Sequence, residues 1–109
     1  MGLSRVSRTK AIDGIIPASG SLDIDANDFD DFGAIKYLLH FKNASGSLNM
    51  ALNCFGVKRG SDVEDTVFGK LGDSIQVSLN LIIDGSDVVL RLSTAETFNV
   101  EVSGLKLKF

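Results

Sequence analysis

The acidic stretch between residues 22 and 31 holds the side chains most able to do chemistry. The segment Asp23-Ile24-Asp25-Ala26-Asn27-Asp28 begins like the calcium-binding loop of an EF-hand, with oxygen ligands at alternate positions. The sixth position of such a loop needs glycine and holds Asp28, and the twelfth needs glutamate and holds Ala34. We therefore predict no metal site and interpret the stretch as a solvated loop or a surface for a basic partner. A weak calcium site is the remaining alternative.

The chain has one histidine and one cysteine, and neither occurs in a catalytic pattern. His40 is on the polar side of a strand predicted over 35–41, and no serine or cysteine with a third orienting group can be nominated beside it. Cys54 is on the apolar side of a strand predicted over 47–55, which indicates a small buried side chain rather than a reactive thiol. We predict no catalytic residues and no cofactor, and we expect that the protein is not an enzyme.

Composition indicates one globular domain of 109 residues, with 44% hydrophobic and 23% charged residues. The net charge of −3 argues against nucleic-acid binding, which usually needs a basic surface. No stretch reaches the roughly 18 consecutive apolar residues that span a membrane. We therefore expect neither nucleic acid nor a membrane as a partner.

Alternation of apolar and polar residues dominates residues 32–109 and predicts β-strands. Odd positions are apolar in 35–41 and again in 75–83. Turn-forming residues predict a loop over 56–61 and a tight hairpin turn at Asp84-Gly85-Ser86. Short strands separated by such turns favour an all-β fold, an antiparallel β-sandwich of jelly-roll type.

The last predicted strand changes phase along its length. Apolar residues fall on even positions from 98 to 102 and on odd positions from 105 to 109. One extra residue at Ser103-Gly104 would restore a common facing, so we predict a β-bulge there.

Residues 1–21 show no sustained strand or helix period and are too polar to form a core. We predict that they form an extended N-terminal docking arm and that residues 22–109 form the β-sandwich domain. The arm would lie across a neighbouring subunit, because a free segment of this composition would be disordered. Its contacts would be three apolar anchors and three basic residues that face acidic groups: Ile12, Ile15, Ile16, Arg5, Arg8 and Lys10.

Self-association is also predicted from apolar residues on the outward side of predicted strands. A single core of this size offsets the loss of chain entropy only narrowly, so burial between subunits would add stability. The candidates for these subunit contacts are Leu38, Phe55 and Val89.

Four segments carry a recognisable pattern: an opening strand AIKYLLHFKN (34–43), a hairpin over 47–72, a long hairpin over 73–93 and a closing strand TFNVEVSGLKLKF (97–109). Together they resemble a small β-sandwich domain that recurs in structural proteins of tailed-bacteriophage virions, whose opening strand has the pattern A-x-K-Y-L. The resemblance implies a non-enzymatic virion component, often a homotrimer, whose partners are other virion proteins of the neck, tail fibre or head appendages.

The expected function is therefore that of a structural protein located in the virion, as an assembly or capsid-decoration subunit anchored by its arm. The alternative is a carbohydrate- or receptor-binding module of a phage fibre. Such a module needs an exposed aromatic platform, for which Tyr37 and Phe68 are the available residues.

Overall fold

Eight strands account for most of the computed structural model, which describes residues 9–109. In chain order they are β1 (Thr9–Ile16), β2 (Ser21–Asp28), β3 (Ala34–Lys42), β4 (Asn49–Arg59), β5 (Asp62–Gly72), β6 (Val77–Asp84), β7 (Asp87–Thr94) and β8 (Val100–Lys108). One sheet has five strands in the order β1-β8-β3-β4-β5, and the other has three in the order β2-β7-β6. All pairs are antiparallel, which confirms the predicted β-sandwich.

The core lies between the two sheets and takes alternate residues from each strand. Odd positions of β3 and even positions of β4 face inward, as the alternation predicts. The central strand β7 of the smaller sheet closes the core from the other side. Fully buried apolar residues of β3, β4 and β7 include Ile35, Leu39, Phe41, Met50, Cys54, Val88, Leu90 and Leu92. In the part of the chain that the structure describes, no helix is long and apolar enough to cross a membrane.

The hairpins are closed by glycines with positive φ. Gly85-Ser86 joins β6 to β7, and Gly85 has φ 65°, as the first loop position of a type II′ turn requires. This confirms the predicted hairpin turn. Gly60-Ser61 joins β4 to β5 in the same way, with φ 63° at the glycine. The loop predicted over 56–61 is therefore too long, because β4 extends to the residue before this turn.

Strand β8 runs straight through Ser103-Gly104, so the predicted β-bulge is wrong. Its pairing with β1 on one side and β3 on the other has no register shift. The inward positions stay even as far as Lys106, and Leu105 lies on the exposed side. The apparent change of phase arises because a charged residue, Lys106, occupies an inward position where the alternation predicts an apolar one.

The smaller sheet contains a bulge that the sequence pattern does not reveal. The register of β2 against β7 shifts between Asp23 and Asp25, which leaves Ile24 as the extra residue. Because side chains alternate along a strand, one extra residue turns the following positions to the opposite face. Asp25 and Asn27 are therefore turned toward the core, and both side chains are buried.

The N-terminal segment belongs to the sandwich. Residues 9–16 are β1, which pairs with β8 of the same chain along its whole length. Ile12 and Ile16 are buried in the chain's own core, so the prediction that they anchor a neighbouring subunit is wrong. The alternation is hard to see in the sequence because Gly14 takes the inward position between them. A Cβ there would lie 2.8 Å from the side chain of Leu22.

The predicted boundary between a docking arm over 1–21 and a domain over 22–109 does not describe this fold, since β1 lies before that boundary. Lys10 and Ile15 are exposed on β1 and remain accessible to a partner. Arg5 and Arg8, the other basic residues predicted for the arm, lie outside the described residues.

Replacing Gly104 by alanine is expected to destabilise the protein. An added Cβ would lie 2.0 Å from the backbone oxygen of Leu38 and 3.0 Å from the side chain of Leu39, so β3 and β8 would have to separate. Overpacking of this kind costs about 1–3 kcal/mol, and urea unfolding should show a loss of that size. Gly33→Ala is the control, because a Cβ there meets its nearest atom at 3.7 Å. Equal losses for the two variants would contradict the expectation.

Candidate functional site

The outward surface of the five-stranded sheet exposes several large apolar side chains. Cross-strand register places Leu105 beside Leu38, Leu38 beside Asn53, and Asn53 beside Phe68, in one row across four strands. A neighbouring row contains Phe55. We call the exposed apolar residues of this surface the outer face: Leu38, Phe55, Val57, Phe68, Leu71 and Leu105.

Polar groups surround the outer face. The ammonium of Lys36 lies 5.9 Å from the centre of the Phe68 ring, within the range of a cation–π contact. His40 Nε2 is 2.9 Å from Asn49 Oδ1 at the opposite end of the face. Beyond it, Lys42 and Glu101 form an ion pair at 3.9 Å. This arrangement, an apolar centre with a charged rim, is typical of a protein–protein interface.

Two of the three predicted subunit-contact residues are on this surface. Leu38 is 49% exposed and Phe55 is 39% exposed, as the outward parity predicts. The third prediction is wrong, because Val89 is buried. Val89 lies on the central strand of the smaller sheet, directly between Ala26 and Ile82 on the adjacent strands, so its neighbours shield it. Whether Leu38 and Phe55 contact another subunit stays a prediction.

A cluster of four polar side chains lies between the two sheets, and we call it the buried polar cluster: Asp25, Asn27, Tyr37 and Lys106. Lys106 Nζ donates to Asp25 Oδ1 at 3.1 Å and to Asn27 Oδ1 at 2.8 Å. Tyr37 donates its hydroxyl hydrogen to Asp25 Oδ2 at 2.7 Å. Asn27 Nδ2 donates to the same carboxylate oxygen at 2.9 Å. The cluster therefore joins β2 of the smaller sheet to β3 and β8 of the larger one.

The surroundings of the buried polar cluster keep the Tyr37 hydroxyl protonated. The side chains of Lys106 and Asp25 are 5% and 7% exposed, so their attraction is weakly screened by water. Burial, and then the charge of Asp25, raises the pKa of the Tyr37 phenol, which keeps its proton and remains a donor. Among the described residues, every buried side-chain polar atom has a hydrogen-bond partner. All hydrogen-bonding groups of the cluster are thus satisfied, and removal of one member would leave buried polar atoms of the others without a partner.

The acidic stretch consists of β2 and a 3-10 turn over Phe29–Asp31, and three of its carboxylates have basic partners in the same chain. Asp23 accepts two hydrogen bonds from Arg91, at 2.6 and 3.0 Å, and these hold the pKa of its carboxyl below the usual range. Asp31 is paired with Lys108. The prediction of a loop is therefore wrong for residues 22–28, which are part of a strand. No cluster of three or more metal-ligating side chains occurs within residues 9–109.

The other candidate residues have structural surroundings. Cys54 is buried, as predicted, and burial with the nearby charge of Asp65 raises the pKa of its thiol to about 11. His40 lies on the exposed surface of β3, in register with Ser103, which in turn pairs with Asp13. Ser103 therefore lies between Asp13 and His40, whereas a catalytic triad requires the histidine between the acid and the nucleophile.

Sequence reasoning missed the buried polar cluster because its members come from distant parts of the chain and no single motif connects them. Tyr37 was a candidate for an exposed aromatic platform, and it is fully buried. The one available signal was Lys106 itself, which falls on the even, inward parity of β8 between apolar positions. A lysine on a core-facing parity predicts a buried acidic partner.

Comparisons with known proteins identify a solved structure that contains a similar fold. No protein-family model and no curated protein matches the chain. Among solved structures, it is similar to the tailspike protein of Acinetobacter phage vB_ApiP_P1, with a TM-score of 0.56 and 13% sequence identity. The similarity covers 94% of this chain, which spans 21% of the tailspike chain. At this identity the likeness concerns the fold alone, a β-sandwich of a kind that occurs within a phage tailspike.

Replacement of Lys106 by methionine is expected to destabilise the protein by about 3–5 kcal/mol, because the buried carboxylate of Asp25 loses its counter-charge. Urea unfolding measures the loss. The double variant Lys106→Met/Asp25→Asn should recover part of it, since the side chain at position 25 is then neutral. Arg59→Met is the control: it removes an exposed ion pair with Glu64 and should change stability by at most about 1 kcal/mol. Similar losses for Lys106→Met and Arg59→Met would contradict this account of the cluster.

The Cys54 thiol is expected to resist alkylation and disulfide exchange in the native protein. Its pKa of about 11 leaves almost no thiolate at pH 8, and the side chain is fully buried. Thiol titration with a chromogenic disulfide at pH 8 should show no fast reaction until denaturant is added, and then one thiol per chain. Rapid labelling of the folded protein would contradict this expectation.

Proposed function

We propose that this chain is a non-enzymatic structural module of a tailed-bacteriophage virion, and that it self-associates through the outer face. The observation that carries the proposal is the apolar patch on the larger sheet, which no other part of the described chain covers. In this role the sandwich supplies a rigid body, and the outer face supplies the contact with identical or related subunits.

The outer face has the character of an assembly surface. Leu38, Phe55 and Leu105 expose large apolar side chains side by side, and a soluble monomer rarely leaves such a patch in water. A stable specific contact needs about 800 Å² per partner, which is the scale of one face of a five-stranded sheet. We propose a trimer, the state implied by the resemblance to virion β-sandwich domains.

Two independent likenesses support the assignment to a phage particle. The strand pattern of residues 34–109 resembles virion β-sandwich domains, and the fold is similar to part of a phage tailspike. Because this chain spans 21% of that tailspike, the similarity supports a module that could serve inside a larger tail protein or as a separate subunit. The proposed location is therefore the virion, with other virion proteins as partners.

A carbohydrate- or receptor-binding role is the second candidate. Phe55 and Phe68 are exposed on the same face, and an exposed aromatic ring is the usual platform for a sugar ring. The burial of Tyr37 removes one of the two aromatic residues on which this alternative depended. Binding of a glycan to a face that stays exposed in the assembled protein would favour this role over assembly.

Sedimentation velocity tests the assembly surface. We expect the protein to sediment as a trimer at high micromolar concentration, and Leu38→Glu to sediment as a monomer because a charge replaces an apolar contact. Ile83→Glu is the matched control, since Ile83 is 39% exposed, like Phe55, but lies on the smaller sheet. It should leave the trimer intact.

A wild-type protein that stays monomeric at high micromolar concentration would contradict self-association. Dissociation by Ile83→Glu together with an intact trimer in Leu38→Glu would instead place the contact on the smaller sheet. Far-ultraviolet circular dichroism of both variants checks that each still folds.

A further inference from the structure

The buried polar cluster brings an amine, an amide and a carboxylate together in a place closed to water. Lys106 Nζ lies 2.8 Å from the side-chain oxygen of Asn27. A C=O bond is about 1.2 Å long, so Nζ is within about 4 Å of the Asn27 carbonyl carbon. The carboxylate of Asp25 is hydrogen-bonded to both partners, at 3.1 Å from Lys106 Nζ and 2.9 Å from Asn27 Nδ2.

We propose that Lys106 and Asn27 react with each other to form an intramolecular isopeptide bond, with Asp25 as the proton-transfer group. The product is a covalent amide between the lysine Nζ and the asparagine Cγ, and the leaving group is ammonia. The proposal is independent of the virion role, because it concerns a reaction inside one chain.

The bond changes balance without any co-reactant. The Asp25 carboxylate takes one proton from the Lys106 ammonium, which leaves a neutral amine as the nucleophile. The lone pair of Nζ attacks Asn27 Cγ while protonated Asp25 contacts Nδ2, the nitrogen of the leaving group. The C–Nδ2 bond then breaks as Asp25 gives its proton to Nδ2, which leaves as ammonia, and the second proton of Nζ passes to the Asp25 carboxylate. No atom is oxidised or reduced.

The surroundings favour this reaction in three ways. Both reacting groups are held on rigid strands, Asn27 on β2 and Lys106 on β8, so little entropy is lost in reaching the transition state. Both groups are buried, so bulk water is excluded from the reacting atoms. The Tyr37 hydroxyl donates to Asp25 Oδ2 and so fixes the orientation of the carboxylate between the two partners.

The cross-link would tie the smaller sheet to the larger one at positions 79 residues apart in the chain. A covalent link over so long a loop restricts the unfolded chain, as a disulfide does, and it needs no oxidising compartment. A protein without a possible intrachain disulfide would gain a permanent connection between its two layers.

Intact-mass spectrometry of the denatured full-length protein tests the proposal. The expected mass is lower than the sequence mass by one ammonia, about 17 Da, and proteolysis should yield a branched peptide that joins Asn27 to Lys106. A mass equal to that of the sequence would overturn the proposal. A loss of one water, about 18 Da, with Asp25 joined to Lys106 would overturn the choice of Asn27 as the acceptor.

Variants separate the cross-link from other losses of ammonia. Lys106→Met removes the nucleophile and should restore the sequence mass, whereas the exposed Lys10→Arg should retain the loss. An unbranched succinimide at Asn27 would also lose ammonia, but it would persist in Lys106→Met and would overturn the proposal. Asp25→Asn leaves Lys106 without its counter-charge and is expected to be less stable. If circular dichroism shows that this variant folds, its loss of ammonia should be at least tenfold slower. If Asp25→Asn does not fold, the branched peptide from the wild-type protein decides the question by its presence or absence.

Discussion

The contact between Lys106 and Asp25 across the two sheets constrains the rest of the structure. A lysine and an aspartate enter the core only when each neutralises the other, and here the pair is completed by Asn27 and Tyr37. Apolar residues can pack in several ways, whereas these four groups are satisfied in one relative position of the sheets. The buried polar cluster thus sets the register of one layer on the other.

Several local features of the chain follow from this contact. The bulge in β2 turns Asp25 and Asn27 toward the core, and without the extra Ile24 their side chains would face solvent. The lysine on β8 reaches them because that strand continues without interruption past Gly104, whose missing side chain allows β3 to approach closely. A charged group and a glycine on β8 and a bulge in β2 therefore contribute to one connection between the layers.

The two surfaces of the larger sheet differ in what they contact. Its inner surface joins the smaller sheet through the core and the buried polar cluster, and its outer face remains apolar at the centre with charges at the rim. The assembly proposed above would use this face without rearrangement, because its apolar side chains are already exposed on a sheet.

The sequence by itself determined the class of fold, the strands that alternate cleanly, such as 35–41, and the turn at Gly85, because strand period and turn chemistry are local properties. It also determined that Cys54 is buried and Leu38 exposed. Only the tertiary structure decided which residues share the core with Lys106, that β1 pairs with β8, and that Val89 is shielded. These depend on contacts between residues far apart in the chain, and one extra residue in β2 reverses the facing that alternation alone would assign.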